Sequence, residues 1–328
     1  MLKISKAAAY IKMRAHELSL SFKEFRRCAK ASPLARQKYS DSWKLVTAHS
    51  IEKGLGLPDA SPGHSGHIVL QLLDKLLSEA TKCSDSFAFM ESFSVIAAYM
   101  NFQQQYDTKS FPKYRTILEK YEKLISIVGK DYEEDAVKTC RAGYTLYKKE
   151  DLLPSMDLDH FIGNRHSVRE YAPDPVKTED IKRCVKTALM APSACNRQPS
   201  KVYFTCRSDM VRKIDDLITG SSGFKGQVPN YIVITTDRAA FSNEEMYQWY
   251  INGGIFTAYI SLALHNIGIG HCIMQWKAFY KTEKELKDLL GIPDTEAIIA
   301  TIGCGYYKDK TACLESQRRN ADEILRII

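Results

Sequence analysis

The spacing of apolar residues changes once along this chain, near residue 155, and that change limits the fold more than any other feature. Before it, apolar positions recur at three- and four-residue steps in 10–31, 39–53, 67–82, 86–106, 113–128 and 132–149, the repeat of helices with one buried face. A single Gly-, Pro- and Ser-rich break, GLGLPDASPGHSGH at 54–67, interrupts them and reads as a loop. After EDLLPSMDLDHF (150–161), short β-branched and aromatic runs take over. KVYFTC (201–206), YIVITTD (231–237) and EAIIATIGCGY (296–306) read as strands. Helical patterns lie between them. TEDIKRCVKTALMA (178–191) opens on Thr178, a cap candidate, and ends at Pro192. The stretch 244–268 reads as one long helix, apolar nearly all round from Ile255 onward and stopped at Gly268. A helix without a polar stripe belongs in an interior or at a subunit contact. The expected organisation is an all-α region, 1–152, followed by an α+β region, 153–328, with the change falling at about 152–158.

Bulk properties exclude several classes. With 45% apolar and 26% charged residues, a chain of 328 is long enough for each region to bury a core. Apolar runs such as IFTAYISLAL (255–264) fall well short of the roughly 20 residues a membrane helix needs. The opening MLKISKAAAYIKMRAHELSL has no clean apolar centre or cleavage-like ending, and it reads as an amphipathic helix rather than a signal peptide. The net charge of +7 is not gathered into a basic stripe with aromatics between, which argues against nucleic acid. Nine cysteines, at 28, 83, 140, 184, 195, 206, 272, 304 and 313, show no CxxC and no regular spacing. That argues against zinc or iron–sulfur clusters and fits a reducing cytoplasm.

Four stretches carry candidate chemistry. NRHSVREYAPDPV (164–176) puts Arg165, Ser167 and Arg169 on alternate positions, so an extended backbone turns all three to one side. That face either grips an anion or is a solvated basic strand. PSACNRQP (192–199) is a polar turn after a helix; on its own it reads as a run of turn-formers. Cys195 within it invites a nucleophile reading, but no His or acid has an obvious partnering position. HCIMQW (271–276) follows the long helix, with Ile273 expected inside a strand. SGFKGQVPNY (222–231) is Gly-rich without dinucleotide-loop spacing, and Lys225 in it is a further candidate for phosphate or substrate. In the first region His49 and Glu52 stand one helical turn apart, with His64 and His67 following. A carboxylate-bridged di-iron bundle needs two Glu-x-x-His pairs and two further glutamates, so no metal site is expected.

These motifs, in this order, resemble the nitroreductase family. RHSVREY is similar to its opening Arg-x-Ser-x-Arg/Lys, and APSACNRQP to its Pro-Ser-x-x-Asn-x-Gln-Pro. GIGHC (268–272), IGCGYY (302–307) and RRNADEIL (318–325) are similar to the Gly-Leu-Gly segment, the terminal strand and the closing Arg-rich helix. The resemblance spans about Phe161 to Ile328 and implies an α+β fold with a central mixed sheet flanked by helices. It implies FMN as cofactor, and a cofactor that carries the chemistry itself, with no catalytic side chain. Arg165 and Arg318 would hold the phosphate, which suits guanidinium forks, with Ser167 on the phosphate or ribityl chain. Arg169 would face the N1/O2 edge of the ring, where positive charge favours the anionic reduced form. Ser193, Asn196 and Gln198 would bond the pyrimidine edge or ribityl of a flavin held mainly by the other subunit. His166, Pro192 and Ala194 also fall beside the cofactor, and Ile273, Met274, Gln275 and Trp276 would lie along the isoalloxazine. Gln275 departs from the small or acidic residue common in the family, which leaves the substrate open.

The activity so implied is reduction of a small acceptor, a nitro compound or quinone, with electrons from NADH or NADPH in a ping-pong cycle. The implied setting is a cytoplasmic homodimer with FMN at the interface. Two alternatives remain: a flavoenzyme of the same fold that does not use NAD(P)H, cleaving flavin, dehalogenating or dehydrogenating, or a flavin-holding interaction protein without turnover. The helical region lies outside the family core and would cap the site, restrict substrate or dock a protein partner.

Overall fold

The structure is a computed structural model. It describes residues 33–55, 60–107, 111–140, 142–143, 157–221, 224–274, 276, 280–309, 311, 313 and 320–328, together with Leu18, Ser19 and Phe22. They form two compact units. One comprises residues up to Pro154 with Pro192–Pro199 and Arg238–Trp249; the other comprises Ser155–Ala191, Ser200–Asp237 and Tyr250–Ile328.

The first unit is helical. Its helices are α1 (Pro33–Leu55), α2 (Gly66–Cys83), α3 (Phe87–Gln103), α4 (Tyr114–Val128) and α5 (Lys130–Cys140). On α2, Val69, Leu72, Leu73, Leu76 and Ala80 are buried, the stripe that its three- and four-residue spacing dictates. The α3 helix is buried nearly all round and starts where the Ser86 hydroxyl accepts from Phe89 N at 3.2 Å. Phe93 packs against Tyr121 and edge-on to Tyr132, with centroids 5.8 and 5.5 Å away. Lys44, wholly buried, joins α1 to α2 by an ion pair to Glu79 at 2.7 Å and pairs within α1 with Asp41 at 2.9 Å. Burial works against its charge, but the bonds to Glu79 and Asp41 outweigh it and hold the ammonium pKa above its ordinary value. Of the expected helix at 10–31 only Leu18, Ser19 and Phe22 are described. The helix expected at 132–149 is α5; residues 144–150 lie outside the described set.

The second unit, which opens with the short helix α6 (Leu158–Gly163), is a sheet with helices on both faces, an α+β arrangement. Strands β1 (Ser200–Thr205), β2 (Asn230–Asp237), β3 (Ile269–Met274) and β4 (Glu296–Tyr306) lie in the order β1-β2-β4-β3, each neighbouring pair antiparallel. Parallel pairing among the described residues is an isolated bridge between Ser167 and His271. Every residue of β2 is buried, so its run YIVITT has no exposed face. Successive side chains go to opposite cores. Tyr231 and Val233 join Val211 and Ile214 of α8 (Ser208–Leu217) and Leu286 of α10 (Tyr280–Leu290). Ile232 and Ile234 join Phe256, Ile260 and Leu264 of α9 (Gln248–Asn266). Gly253 lets α9 approach the sheet, because a Cβ there would stand 2.5 Å from Ile299 Cγ1 and 2.6 Å from Thr236 Oγ1.

Two expected boundaries move. The helix α7 (Thr178–Ala188) takes Lys177 at its cap, without a side-chain bond, so Thr178 is the first helical residue. Glu179 and Asp180 in its first turn complement the positive helix end instead. The long helix starts at Gln248, not 244, because Ser242 and Glu245 close a capping box over a short turn at Asn243–Glu245 and Tyr247 turns left-handed at φ 70°. Gly268, at φ 75°, follows its end as expected. No helix of the described residues is long and apolar enough to cross a membrane. The described cysteines, Cys140, Cys184, Cys195, Cys206, Cys272, Cys304 and Cys313, are all free.

Candidate functional site

In the sheet-bearing unit the Arg-rich segment meets the outer edge of β3 at His271 and the end of β4 at Tyr306. Val168 N donates to His271 O at 2.9 Å, and Ala172 N donates to Tyr306 O at 2.9 Å. Val168 and Tyr171 turn into the core, where the Tyr171 hydroxyl donates to Val168 O at 2.7 Å. Ser167 and Arg169, on either side of Val168, stay half-buried, as does Arg165. Arg169 Nη1 donates to Ser167 O at 3.2 Å. Among the described residues no carboxylate comes within ion-pair reach of Arg165 or Arg169.

The charge of this segment reaches two histidines. His271 is buried, and its Nδ1 lies 3.2 Å from Ile269 O, which can only accept. Nδ1 therefore carries the proton and Nε2 accepts from the Ser261 hydroxyl at 2.6 Å, a neutral imidazole. Burial first, then the positive charges of Arg165 and His265, push its pKa down to about 4, against the opposing bond to Ile269 O. His265 is lowered too, by burial and then by Arg165 and His166. Its Nε2 lies 3.1 Å from Phe161 O. Burial leads both shifts, and Arg165 adds positive charge to each, as an anion nearby would prefer.

A pH dependence follows. Unfolded, His271 binds its proton near 6.5; folded, only near about 4. The folded state therefore loses stability as pH falls from 6.5 toward 4 and keeps it in full above 6.5, a swing of about 3 kcal/mol. Urea midpoints for the wild type should drop across this range more steeply than those of His271→Gln. Parallel curves would refute the assignment.

Along β3, His271, Cys272 and Met274 are buried while Ile273 is 44% exposed. This reverses the expectation for Ile273, because β3 is an edge strand and its outward position there is uncovered. Met274 is buried, its side chain in the core against Gly303. Trp276 is half-buried against the same core. Gln275 and Arg318 lie outside the described residues.

The polar loop belongs to the helical unit. Cys195, Asn196 and Gln198 all have left-handed backbones, with φ of 50°, 53° and 48°. Each costs an L-residue roughly 1–2 kcal/mol, least for Asn. Ser193 Oγ accepts from Gln198 N at 3.2 Å, and Gln198 Nε2 donates to Asn196 Oδ1 at 3.2 Å. Pro192 and Asn196 are exposed; Ser193, Ala194 and Gln198 are half-buried. Beneath them the buried Arg197 donates from Nε to Ala194 O at 2.9 Å and from Nη1 to Ala240 O at 2.7 Å. It also forks onto Glu245, with Nη1 to Oε2 at 2.9 Å, and lies 4.7 Å over the Phe241 ring. Sequence reasoning missed Arg197, which looks like one more turn residue between two amides. The Ser242-x-x-Glu245 capping pattern was the available sign of its partner.

Other candidates resolve simply. The Cys195 thiol has no hydrogen-bonded base among the described residues. Lys225 pairs with Asp216 at 2.8 Å on the surface. His49 Nδ1 stands 3.7 Å from Glu52, whose Oε1 accepts from Gly143 N at 3.0 Å. Among the described residues no three His, Cys, Asp or Glu gather as a metal would require.

Residues 162–234 and 217–306 match the model of the nitroreductase family. A protein of Archaeoglobus fulgidus named "Putative NADH dehydrogenase/NAD(P)H nitroreductase" is 32% identical over 172 residues, which is 50% of this chain and 94% of that protein. Among solved structures, an FMN-dependent nitroreductase of Clostridium difficile R20291 is 24% identical, with a TM-score of 0.41, over 50% of this chain and 92% of that one. A nitroreductase family protein of Streptococcus pneumoniae TIGR4 is 22% identical, with a TM-score of 0.44, over 52% of this chain and 100% of that one. On the curated relative and the family model, the chain belongs to the nitroreductase family.

Proposed function

We propose that the protein is an FMN-dependent oxidoreductase that reduces a small organic acceptor, a nitro compound or quinone, with electrons from NADH or NADPH, as a cytoplasmic homodimer. The carrying observation is the pair Arg165 and Arg169, half-buried and without a carboxylate among the described residues, on a segment anchored to β3. A partly desolvated cation without a counter-charge is costly until an anion arrives. A phosphate accepts two parallel bonds from one guanidinium.

Arg165 would hold the FMN phosphate, with Ser167 on the phosphate or ribityl chain. Arg169 would lend positive charge to the pyrimidine edge, which favours the reduced ring. Ser193, Asn196 and Gln198 would offer hydroxyl and amide groups to the ribityl or pyrimidine edge, matching donors to acceptors. Ile273 would give the ring an apolar surface, beside the backbone of Met274. FMN, when bound, supplies the two-electron transfer between donor and acceptor. The chain's part is to bind, orient and exclude water. NAD(P)H in the name of the Archaeoglobus fulgidus relative supports that donor. Exposed apolar side chains on α9, Tyr250, Ile251 and Ile255, support the homodimer.

Anaerobic stopped-flow mixing of the FMN-loaded protein with NADH or NADPH tests the reading, with bleaching of the flavin expected within seconds. Flavin that neither donor bleaches would move the protein to the same-fold enzymes that do without NAD(P)H.

A further inference from the structure

One backbone carbonyl joins the polar loop to the helical region. Ala240 O accepts from Arg197 Nη1 at 2.7 Å and from the buried Ser42 hydroxyl of α1 at 2.6 Å. The Arg197 side chain, 2% exposed, spends its remaining donors on Ala194 O, inside the loop, and on Glu245. Glu245 in turn accepts from Ser242 N at 2.9 Å, so the acid is fixed as well as the base. The bonds to Arg197 hold its carboxyl below the usual glutamate range, although burial opposes this. Three left-handed residues without glycine do not keep one shape unaided; surrounding contacts must over-determine it. Here those contacts are a buried guanidinium fork, a ring beneath it and a hydroxyl from α1.

We propose that Arg197 is a positioning residue which, with Ser42 of α1, holds the loop 192–199 in the shape that presents Ser193, Asn196 and Gln198 to the flavin. The helical region then serves as the scaffold of the cofactor loop. This rests on the FMN reading above. Arg197 is turned under the loop and its donors are committed to protein acceptors, so it acts through its neighbours.

The loop would touch the ribityl or ring and not the phosphate, which supplies the test. The full chain, freed of flavin, is titrated with FMN and with riboflavin by flavin fluorescence, and its melting temperature is recorded. Arg197→Met should weaken both ligands by the same factor, about tenfold or more, the effect of one lost charge-assisted bond. Arg197→Lys keeps the charge but not the fork and should fail to restore binding. Ser42→Ala, a milder change that decides the matter if Arg197→Met does not fold, should weaken both ligands several-fold. Its melting temperature should stay close to wild type. Unchanged affinity in Arg197→Met and Ser42→Ala overturns the positioning role, and so does a loss confined to FMN or full rescue by Lys. A wild-type chain that binds neither ligand overturns the flavin reading, and this one with it.

Discussion

Arg165→Ala should come off the purification column nearly colourless, with FMN affinity down by about 10- to 100-fold, the worth of a charge-assisted bond to phosphate. Riboflavin, which has no phosphate, should bind wild type and variant alike. The expectation follows from a half-buried guanidinium with no carboxylate among the described residues to take its charge. Arg165→Lys should fall between, because an ammonium keeps the charge without the fork. Full retention of yellow colour by Arg165→Ala would remove the phosphate assignment. Removing this charge should also raise the pKa of His271, which Arg165 helps to depress.

Asp215→Ala should be the most damaging single change to the sheet-bearing unit. The buried Asp215 carboxylate accepts from the Ser221 hydroxyl at 2.7 Å, the Tyr231 hydroxyl at 2.5 Å and Gly226 N at 2.6 Å. Alanine would leave three donors facing a methyl group, at a cost on the order of 3–5 kcal/mol. That is a large part of the roughly 5–15 kcal/mol by which a domain holds together. Calorimetry should show a melting transition lower by about 10 °C. Asp215→Asn should do less harm, keeping one carbonyl oxygen while setting its amide against Gly226 N–H. A shift of a degree or two for alanine would show that water replaces the carboxylate.

Much of the fold is legible in the sequence. The runs of β1, β2 and β4 stand out because strands buried on one or both faces select β-branched and aromatic residues. The helices of the first unit stand out because a single buried stripe imposes a spacing, as on α2. The extended course of the Arg-rich segment is legible from its alternation, with Val168 buried and Ser167 and Arg169 half-buried. What escapes is decided by tertiary neighbours. Thr178 is a good cap by type, yet Lys177 takes the position. The start of α9 depends on a capping box that looks like ordinary helical sequence. Ile273 looks interior by composition, and only its place on an edge strand uncovers it. Arg197 is the clearest case. Besides Ala194 O within the loop, its acceptors are a carbonyl and a carboxylate more than forty residues away, and no local pattern announces such a meeting.

The backbone hydrogen bond from Val168 N to His271 O has a second effect. An open strand margin invites another molecule to add its own backbone there, the first step toward insoluble clumps. By bridging to His271, the arginine-bearing segment covers part of that margin. Ligand capture and resistance to clumping are thus entrusted to the same few residues, so damage that frees the segment would cost the protein both at once.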